Sequence, residues 1–201
     1  MPRNAHVTQP YCPHHVVLCT HNRRTVFDRD DDFRHCLLNL KQWKRTLGIK
    51  VFAYCLLSHR LELIVDPGAE FRNLEKLMGE IAERQPRRAN HTNGRGPKLW
   101  EMTYAVSRIG GNGELSDYMR YVELSPVRAC LVANPGNYRW SSYQTKVGKA
   151  KVGWLDFDPG YVELDRTAKG RASRYRDFVS EGLSELERSI LTKAIAKGCI
   201  Q

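Results

Sequence analysis

The chain has 201 residues, 41% of them hydrophobic, which is enough for one domain with a core and a modest extension. No apolar run approaches the ~18 residues that span a bilayer, the first residues lack the apolar segment of a signal peptide, and the six cysteines form no Cys-x-x-Cys pair. These features argue against a membrane span, a disulfide framework and a zinc ribbon, and they predict a cytoplasmic protein whose formal charge of +10 suits a polyanionic partner.

The first third of the chain predicts one helix among three strands. The predicted elements are a strand at 14–20, a helix that follows the acidic run 28–32 and ends at Gly48, and two strands at 49–57 and 60–65 that turn at 58–59. His14 and His15 begin the first strand. We expect one of them to point inward and to be hydrogen-bonded rather than catalytic.

The remainder predicts a second helix, a fourth strand and a helical tail. The elements are a helix at 70–84, a basic loop or frayed helix end at 85–98, a strand at 99–109, a helix around Tyr121, and tail helices near 171–180 and 184–195. The order β-α-β-β-α-β predicts an α+β protein with a ferredoxin-like antiparallel sheet and helices on one face. We divide the chain into a domain at 1–150 and a mostly helical C-terminal extension at 151–201.

Tyr121 lies in a helix whose pattern separates it from the apolar face. Leu115, Tyr118, Met119 and Val122 fall at i, i+3, i+4 and i+7 and form one apolar stripe. Tyr121 lies roughly 110° from the centre of that stripe, so its phenol need not belong to the core. We therefore expect Tyr118 in the core and Tyr121 turned towards a ligand.

Basic residues cluster with aromatic residues at several places. Such clusters hold phosphates and stack bases, which favours nucleic acid as the partner, although a solvated basic surface has the same composition. Trp140 could stack a base or pack beneath the sheet. The residues that we predict to contact DNA are Arg23, Arg24, Arg87, Arg88, Arg95, Lys98 and Trp140.

Four short stretches share an order and spacing that chance does not readily produce. They are Phe-Ala-Tyr-Cys-Leu-Leu at 52–57, Gly-Pro-Lys-Leu-Trp at 96–100, Tyr-Met-Arg-Tyr-Val-Glu-Leu-Ser-Pro-Val-Arg-Ala at 118–129, and Pro-Gly-Asn-Tyr-Arg-Trp-Ser-Ser-Tyr at 135–143. Over residues 10–147, the chain resembles the single-tyrosine HUH transposases, specifically the REP-associated tyrosine transposase group.

The resemblance implies a fold, a ligand and a chemistry. It implies a ferredoxin-like domain that recognises hairpin-forming single-stranded DNA and performs DNA nicking and strand transfer. The nucleophile is a tyrosine that becomes linked to a 5′-phosphate, and by position this is Tyr121. The resemblance also implies a homodimer or DNA-mediated pairing. It further implies a Mg²⁺ or Mn²⁺ ion held by two strand histidines and a polar residue one helical turn after the tyrosine.

The metal positions of the family hold other residues here. The two histidine positions fall on Arg60 and Glu62, and the third falls on Ser125. Side chains alternate along a strand, so His59 shares the face of Leu61 and cannot replace them. An arginine offers no lone pair to a metal. Its charge also repels a divalent ion, with an energy of about 8 kcal/mol at ~4 Å and an effective dielectric of about 20. The sequence therefore predicts no metal ligands.

Two interpretations of the altered strand stay open. In the first, Arg60 and Glu62 are a same-face pair on a decayed active site, and the protein binds DNA without cutting it. In the second, the catalytic residues are Tyr121, Arg60 and Glu62: Arg60 polarises the scissile phosphate in place of a metal, and Glu62 helps to remove the phenol proton. An RNA-binding module is a third alternative, weakened because the strands lack paired exposed aromatic residues.

Overall fold

The centre of the structure is an antiparallel sheet of four strands. A computed structural model describes residues 11–20, 23, 25–93, 104–110, 112–185, 188, 189 and 192, with the backbone alone at 85–93 and 112–114. The strands are β1 His14–Cys19, β2 Lys50–Leu57, β3 Arg60–Asp66 and β4 Ala105–Arg108, in the order β2-β3-β1-β4. This topology confirms the ferredoxin-like α+β prediction, and the β2–β3 hairpin turns at 58–59 as expected.

The first helix, α1 (Asp30–Leu47), begins and ends where its capping residues predict. The Asp32 carboxylate accepts hydrogen bonds from the backbone N–H groups of Asp28 (3.2 Å) and Arg29 (3.0 Å), which stabilises the N-terminus. Gly48 ends the helix at φ +67°, a conformation that favours glycine.

The second helix, α2 (Arg72–Asn93), is longer than predicted. Its backbone continues through Pro86 into residues expected to form a loop or a frayed end. A polar segment without an apolar stripe gives no periodic signal, so its sequence does not separate an exposed helix from a loop.

Helices α1 and α2 cover one face of the sheet and enclose the larger core. Strand residues with alternate spacing, such as Leu61, Leu63 and Val65, point into it. The helix residues that meet them include Phe33, Cys36, Leu40, Leu74, Leu77, Met78 and Ile81. The remaining face of the sheet is left for the segment that follows β4.

Helix α3 (Asn112–Glu123) covers that opposite face. It packs on Ala53, Cys55 and Ile64 of the sheet, and all six residues from 118 to 123 are buried. Tyr118 lies in the core as predicted, but Tyr121 is only 8% exposed, which the stripe pattern did not indicate. The helix lies between the sheet and α5 (Tyr143–Lys146), and a helix covered on two sides buries more than one stripe.

The segment before α5 protects the edge of β2. The Leu56 N–H donates to the Trp140 carbonyl (2.9 Å), and the Ser142 N–H donates to the Tyr54 carbonyl (3.0 Å). Further along the strand, the Val51 N–H donates to the Asp156 carboxylate (2.7 Å). These bonds satisfy an edge that would otherwise present unpaired backbone groups.

The C-terminal extension is fastened by a hydrogen bond from Tyr175 to a buried ion pair of the domain. It contributes α6 (Pro159–Glu163) and α7 (Ala168–Ser180). Glu123 at the end of α3 lies 3.1 Å from the Lys146 Nζ, and both side chains are fully buried. The Tyr175 hydroxyl of α7 donates to the same carboxylate (2.7 Å), as does the Ser142 hydroxyl (2.6 Å). A buried charge pair needs such added hydrogen bonds to offset its desolvation.

Two further expectations concern membranes and cysteines. Among the residues that the structure describes, no helix is both long and apolar enough to cross a bilayer. Within the same residues Cys12, Cys36 and Cys55 are buried free thiols, Cys19 is half-buried and Cys130 is exposed. Cys199 lies outside the described residues.

The buried pair can be tested by removing one charge or both. Glu123→Gln leaves the Lys146 ammonium buried without a counter-charge, and we expect it to lower the free energy of unfolding by about 3–5 kcal/mol. The double variant Glu123→Gln with Lys146→Met removes both charges, so its free energy of unfolding should fall by less than that of the single variant. Urea unfolding followed by circular dichroism measures both. Removal of an exposed ion pair lowers the free energy of unfolding by about 1 kcal/mol. A loss no larger than this in Glu123→Gln would contradict the stabilising role of the buried pair.

Candidate functional site

Strand β3 presents Arg60 and Glu62 to helix α3. Ile64, two residues further along, packs in the core beneath α3, whereas Leu61 and Leu63 face α1 and α2. The strand alternation predicted from the sequence is therefore what the structure shows. Glu62 is 1% exposed, so the sheet carries a carboxylate inside the protein.

Ser125 and two arginines surround the Glu62 carboxylate. The Ser125 hydroxyl donates a hydrogen bond to Oε2 (3.0 Å). The Arg60 Nε lies 2.8 Å from Oε1, but its N–H is not aimed at the oxygen, so the contact is an ion pair. The Arg128 Nη2 lies 4.0 Å from Oε2 and donates to the Ser125 hydroxyl (2.8 Å). Two guanidinium groups around one carboxylate leave a positive surplus that suits a phosphate.

Arg128 also covers Tyr121. It lies at the end of α4 (Ser125–Arg128), and its Cζ is 3.6 Å from the centre of the Tyr121 ring. Its Nη1 donates to the Tyr121 backbone carbonyl. A guanidinium on the ring face fixes the orientation of the phenol. No hydrogen bond joins the Tyr121 hydroxyl to another group within the described part of the chain.

The sequence analysis did not identify Arg128 as a site residue, although its spacing from Tyr121 indicates that the two lie on the same side of a helix. Tyr121, Ser125 and Arg128 fall at i, i+4 and i+7, which places them on one side of a helix. The proline at position 126 suggests that the helix ends before that pattern is complete. In the structure α4 begins two residues after α3, with Pro126 in its first turn where the missing N–H is tolerated.

His15 of β1 completes the surroundings. Its ring lies edge-on to Tyr121, with 6.0 Å between the ring centres, and its Nε2 is 3.7 Å from the Glu62 Oε2. This separation is longer than a hydrogen bond, and neither ring nitrogen has a hydrogen-bond partner among the described residues. Both histidines are buried, where only one was expected to point inward: His15 faces α3, and His14 packs against Phe71 on the other face of the sheet. The expected hydrogen bond of His15 is not seen within the described residues.

Burial and the neighbouring charges shift the pKa values of Glu62 and Arg128. Burial alone would raise the pKa of the Glu62 carboxyl, but His15, Arg60 and Arg128 outweigh it and hold that pKa below its ordinary value. Burial lowers the pKa of Arg128 in spite of the attraction of Glu62. Glu62 is thus ionised at neutral pH, and such a weakly basic carboxylate is better suited to holding arginines than to accepting a proton.

These residues do not fit a Mg²⁺ or Mn²⁺ ion. Glu62 is the one carboxylate of the group, and it already accepts the Ser125 hydroxyl and faces two guanidinium groups. Each guanidinium would oppose a divalent ion, and neither has a lone pair to donate. Among the described residues no three His, Cys, Asp or Glu side chains come together in a metal-binding group.

The other predicted DNA contacts are distributed unevenly. Arg23 is exposed in the turn after β1, beside His59 and Arg60; burial and these two arginines lower the pKa of His59. Trp140 is 9% exposed and stacked on Phe33 at 4.6 Å, which fits the packing alternative better than base stacking. The side chains of Arg87 and Arg88, and all of Arg24, Arg95 and Lys98, lie outside the described residues.

The chain matches known proteins in sequence family and in fold. Residues 8–125, more than half of the chain, match the family model of the IS200-like transposases. A search of curated proteins finds no match. A solved structure of a REP-associated tyrosine transposase bound to a REP hairpin superposes with a TM-score of 0.58 at 12% identity, covering 79% of this chain and 99% of the other.

A second solved structure is more distant. It is a candidate transposase from Deinococcus radiodurans R1, with a TM-score of 0.40 at 16% identity, covering 61% of this chain and 96% of the other. The family match and the ferredoxin-like sheet agree with the motifs around Tyr121. The chain belongs to the family of IS200-like transposases.

Proposed function

We propose that this chain binds hairpin-forming single-stranded DNA and that Tyr121 nicks it through a 5′-phosphotyrosine supported by arginines instead of a metal. The observation that carries the proposal is the Arg128 guanidinium held 3.6 Å from the Tyr121 ring, with the Arg60–Glu62 pair beside it. The family and its hairpin-bound structural relative support DNA as the ligand. The homodimer implied by the resemblance stays a prediction.

Arg60 and Arg128 have the charge and geometry to bind the scissile phosphate. The Arg60 side chain is 29% exposed, and its only ion pair within the described residues is with Glu62 through Nε. Its two terminal nitrogens therefore remain available for phosphate oxygens. The Arg128 side chain is 21% exposed and spans the tyrosine ring and the carboxylate. Preorganised cations of this kind stabilise charge on a transferring phosphoryl group.

The proposed reaction is a pair of phosphoryl transfers. The Tyr121 oxygen attacks the phosphorus and forms a phosphotyrosine bond, its proton passes to solvent, and the bond to the 3′-oxygen breaks. The departing 3′-oxygen takes up a proton and leaves as a hydroxyl. In strand transfer a 3′-hydroxyl attacks the phosphotyrosine, the bond to Tyr121 breaks, and the phenol is restored. The arginines lower both barriers by charge, and Glu62 holds them in place.

A non-cleaving DNA-binding protein is the second candidate. It is favoured by the replacement of both histidine positions by Arg60 and Glu62 and by the burial of Tyr121. In that case Arg128 only packs on the ring, and the positive surplus only binds phosphates. Both candidates predict DNA binding that weakens with salt by about 0.7 logarithmic units per phosphate contact on single strands.

The nucleophile is tested by removing one hydroxyl. Tyr121→Phe should abolish the covalent protein–DNA band that forms when the chain is incubated with labelled hairpin oligonucleotides carrying unpaired flanks. Tyr118→Phe is the matched control, because Tyr118 is as buried, lies on the same helix and also contacts His15. Denaturing gels measure both. A Tyr121→Phe variant that forms the band as well as the parent would exclude this tyrosine.

The arginine on the ring is tested by keeping its charge and changing its shape. Arg128→Lys loses the planar contact with Tyr121 and the fork towards Ser125, so we expect adduct formation to slow by about 10- to 100-fold. Arg139→Lys is the control. Arg139 also covers an aromatic ring, with its Cζ 4.3 Å from the centre of the Trp140 ring, but it lies outside the tyrosine site. Equal rates for the two variants would remove Arg128 from the mechanism.

The two candidates are separated by restoring the family residues. The double change Arg60→His with Glu62→His should lose the metal-independent cleavage of the parent in a gel assay with and without Mn²⁺. If the parent is instead inert and the double variant cleaves with Mn²⁺, the site is a decayed one and the second candidate is correct.

A further inference from the structure

A cleft of about 530 Å³ lies between α7 and the segments that contain α4 and α5. We name it the α7 cleft and define it by Leu124, Arg128, Tyr143, Val147, Lys149 and Arg176. Its volume falls within the range of pockets that hold small ligands or single nucleotides. It lies beside the tyrosine site without including Tyr121.

The charged side chains of the α7 cleft are mostly cationic. Four cations and one carboxylate line it, and they are Arg128, Lys149, Arg176, Arg188 and Asp177. Lys149 and Arg176 are exposed, and neither side chain forms a hydrogen bond or an ion pair with the described part of the chain. Cations that have no partner inside the protein can pair with an anion from outside at little desolvation cost.

One wall of the cleft shows how Lys149 is accommodated. Its side chain passes so close to Gly136 that a Cβ at that position would come within 2.8 Å of the ammonium. The ammonium is the end of a flexible, exposed side chain that can move aside, so the contact does not require glycine; it shows that the Lys149 ammonium lies beside Gly136.

Much of the remaining lining is apolar, beside the polar side chains of Asn134 and Ser180. Leu124, Val127, Tyr143, Val147 and Val179 contribute carbon surface, and Tyr143 and Val147 are nearly buried where α5 meets α7. A simple anion gains nothing from such surface. A nucleotide does, because its phosphate can meet the cations while its base and sugar cover the apolar wall.

Arg128 joins the cleft to the tyrosine site. It lines the cleft, and its Cζ lies 3.6 Å from the Tyr121 ring. A DNA strand with a phosphate at Arg128 and Tyr121 would therefore have its neighbouring nucleotide at the mouth of the α7 cleft.

We propose that the α7 cleft binds an unpaired nucleotide of single-stranded DNA next to the phosphate at Tyr121. This rests on the proposed function for its location, but the cleft makes a prediction of its own: it binds short unpaired DNA whether or not Tyr121 cuts. The extension then contributes a part of the DNA site, in addition to its packing against the domain.

The test uses a fluorescein-labelled hexathymidylate, which has no stem, and the full-length protein. Lys149→Glu with Arg176→Glu should weaken binding about tenfold or more and reduce the slope of log K against log salt by about 1.4. The matched control is Lys169→Glu with Arg174→Glu, the same charge change at exposed positions of α7 outside the cleft. The control should keep nearly the affinity and slope of the parent.

Three outcomes would overturn the inference: a parent that does not bind hexathymidylate, equal losses in the cleft and control variants, or displacement of the probe by inorganic phosphate as readily as by unlabelled hexathymidylate. The last would show an anion site without a nucleotide. Thermal unfolding of both double variants checks that they fold. Failure of the proposed function is distinct, since it appears as missing covalent adducts while hexathymidylate binding still depends on Lys149 and Arg176.

Discussion

A carboxylate on an inner strand constrains the architecture around it. Taking Glu62 out of water costs several kcal/mol unless its oxygens meet donors and cations. Ser125 and Arg128 supply them from α4, and Arg60 supplies a charge from the same strand. The end of α3 is thereby held over the sheet at one place, and Tyr121 is placed with it.

A second buried pair holds α3 from the other side. Glu123, two residues after Tyr121, meets Lys146 of α5 and Tyr175 of α7 inside the protein. The tyrosine therefore lies between two anchors, one on the sheet and one on the C-terminal extension. Loss of either anchor would loosen the helix that carries it, and the α7 cleft lies beside the second anchor.

Much of this could be predicted from the sequence, and the limits have physical causes. Alternation along β3 put Arg60 and Glu62 on the face opposite Leu61, which the structure shows to be the face towards α3, and the caps of α1 were clear from Asp32 and Gly48. The burial of Tyr121 was not predictable from helix periodicity, because a helix covered on two sides has no single apolar stripe. Ion pairs distant in sequence, such as Glu62 with Arg128, leave no local pattern, and Pro126 obscured the helical spacing of Tyr121 and Arg128, so the arginine on the tyrosine was missed.

The central claim is that arginines, organised by a buried glutamate, occupy the place of a metal beside Tyr121. The most direct measurement is mass spectrometry of the protein after incubation with hairpin DNA in excess chelator. The account predicts a peptide that carries a nucleotide on Tyr121, in the same yield as with Mg²⁺ or Mn²⁺. A nucleotide adduct that forms only with added metal, or no adduct under any condition, would contradict it.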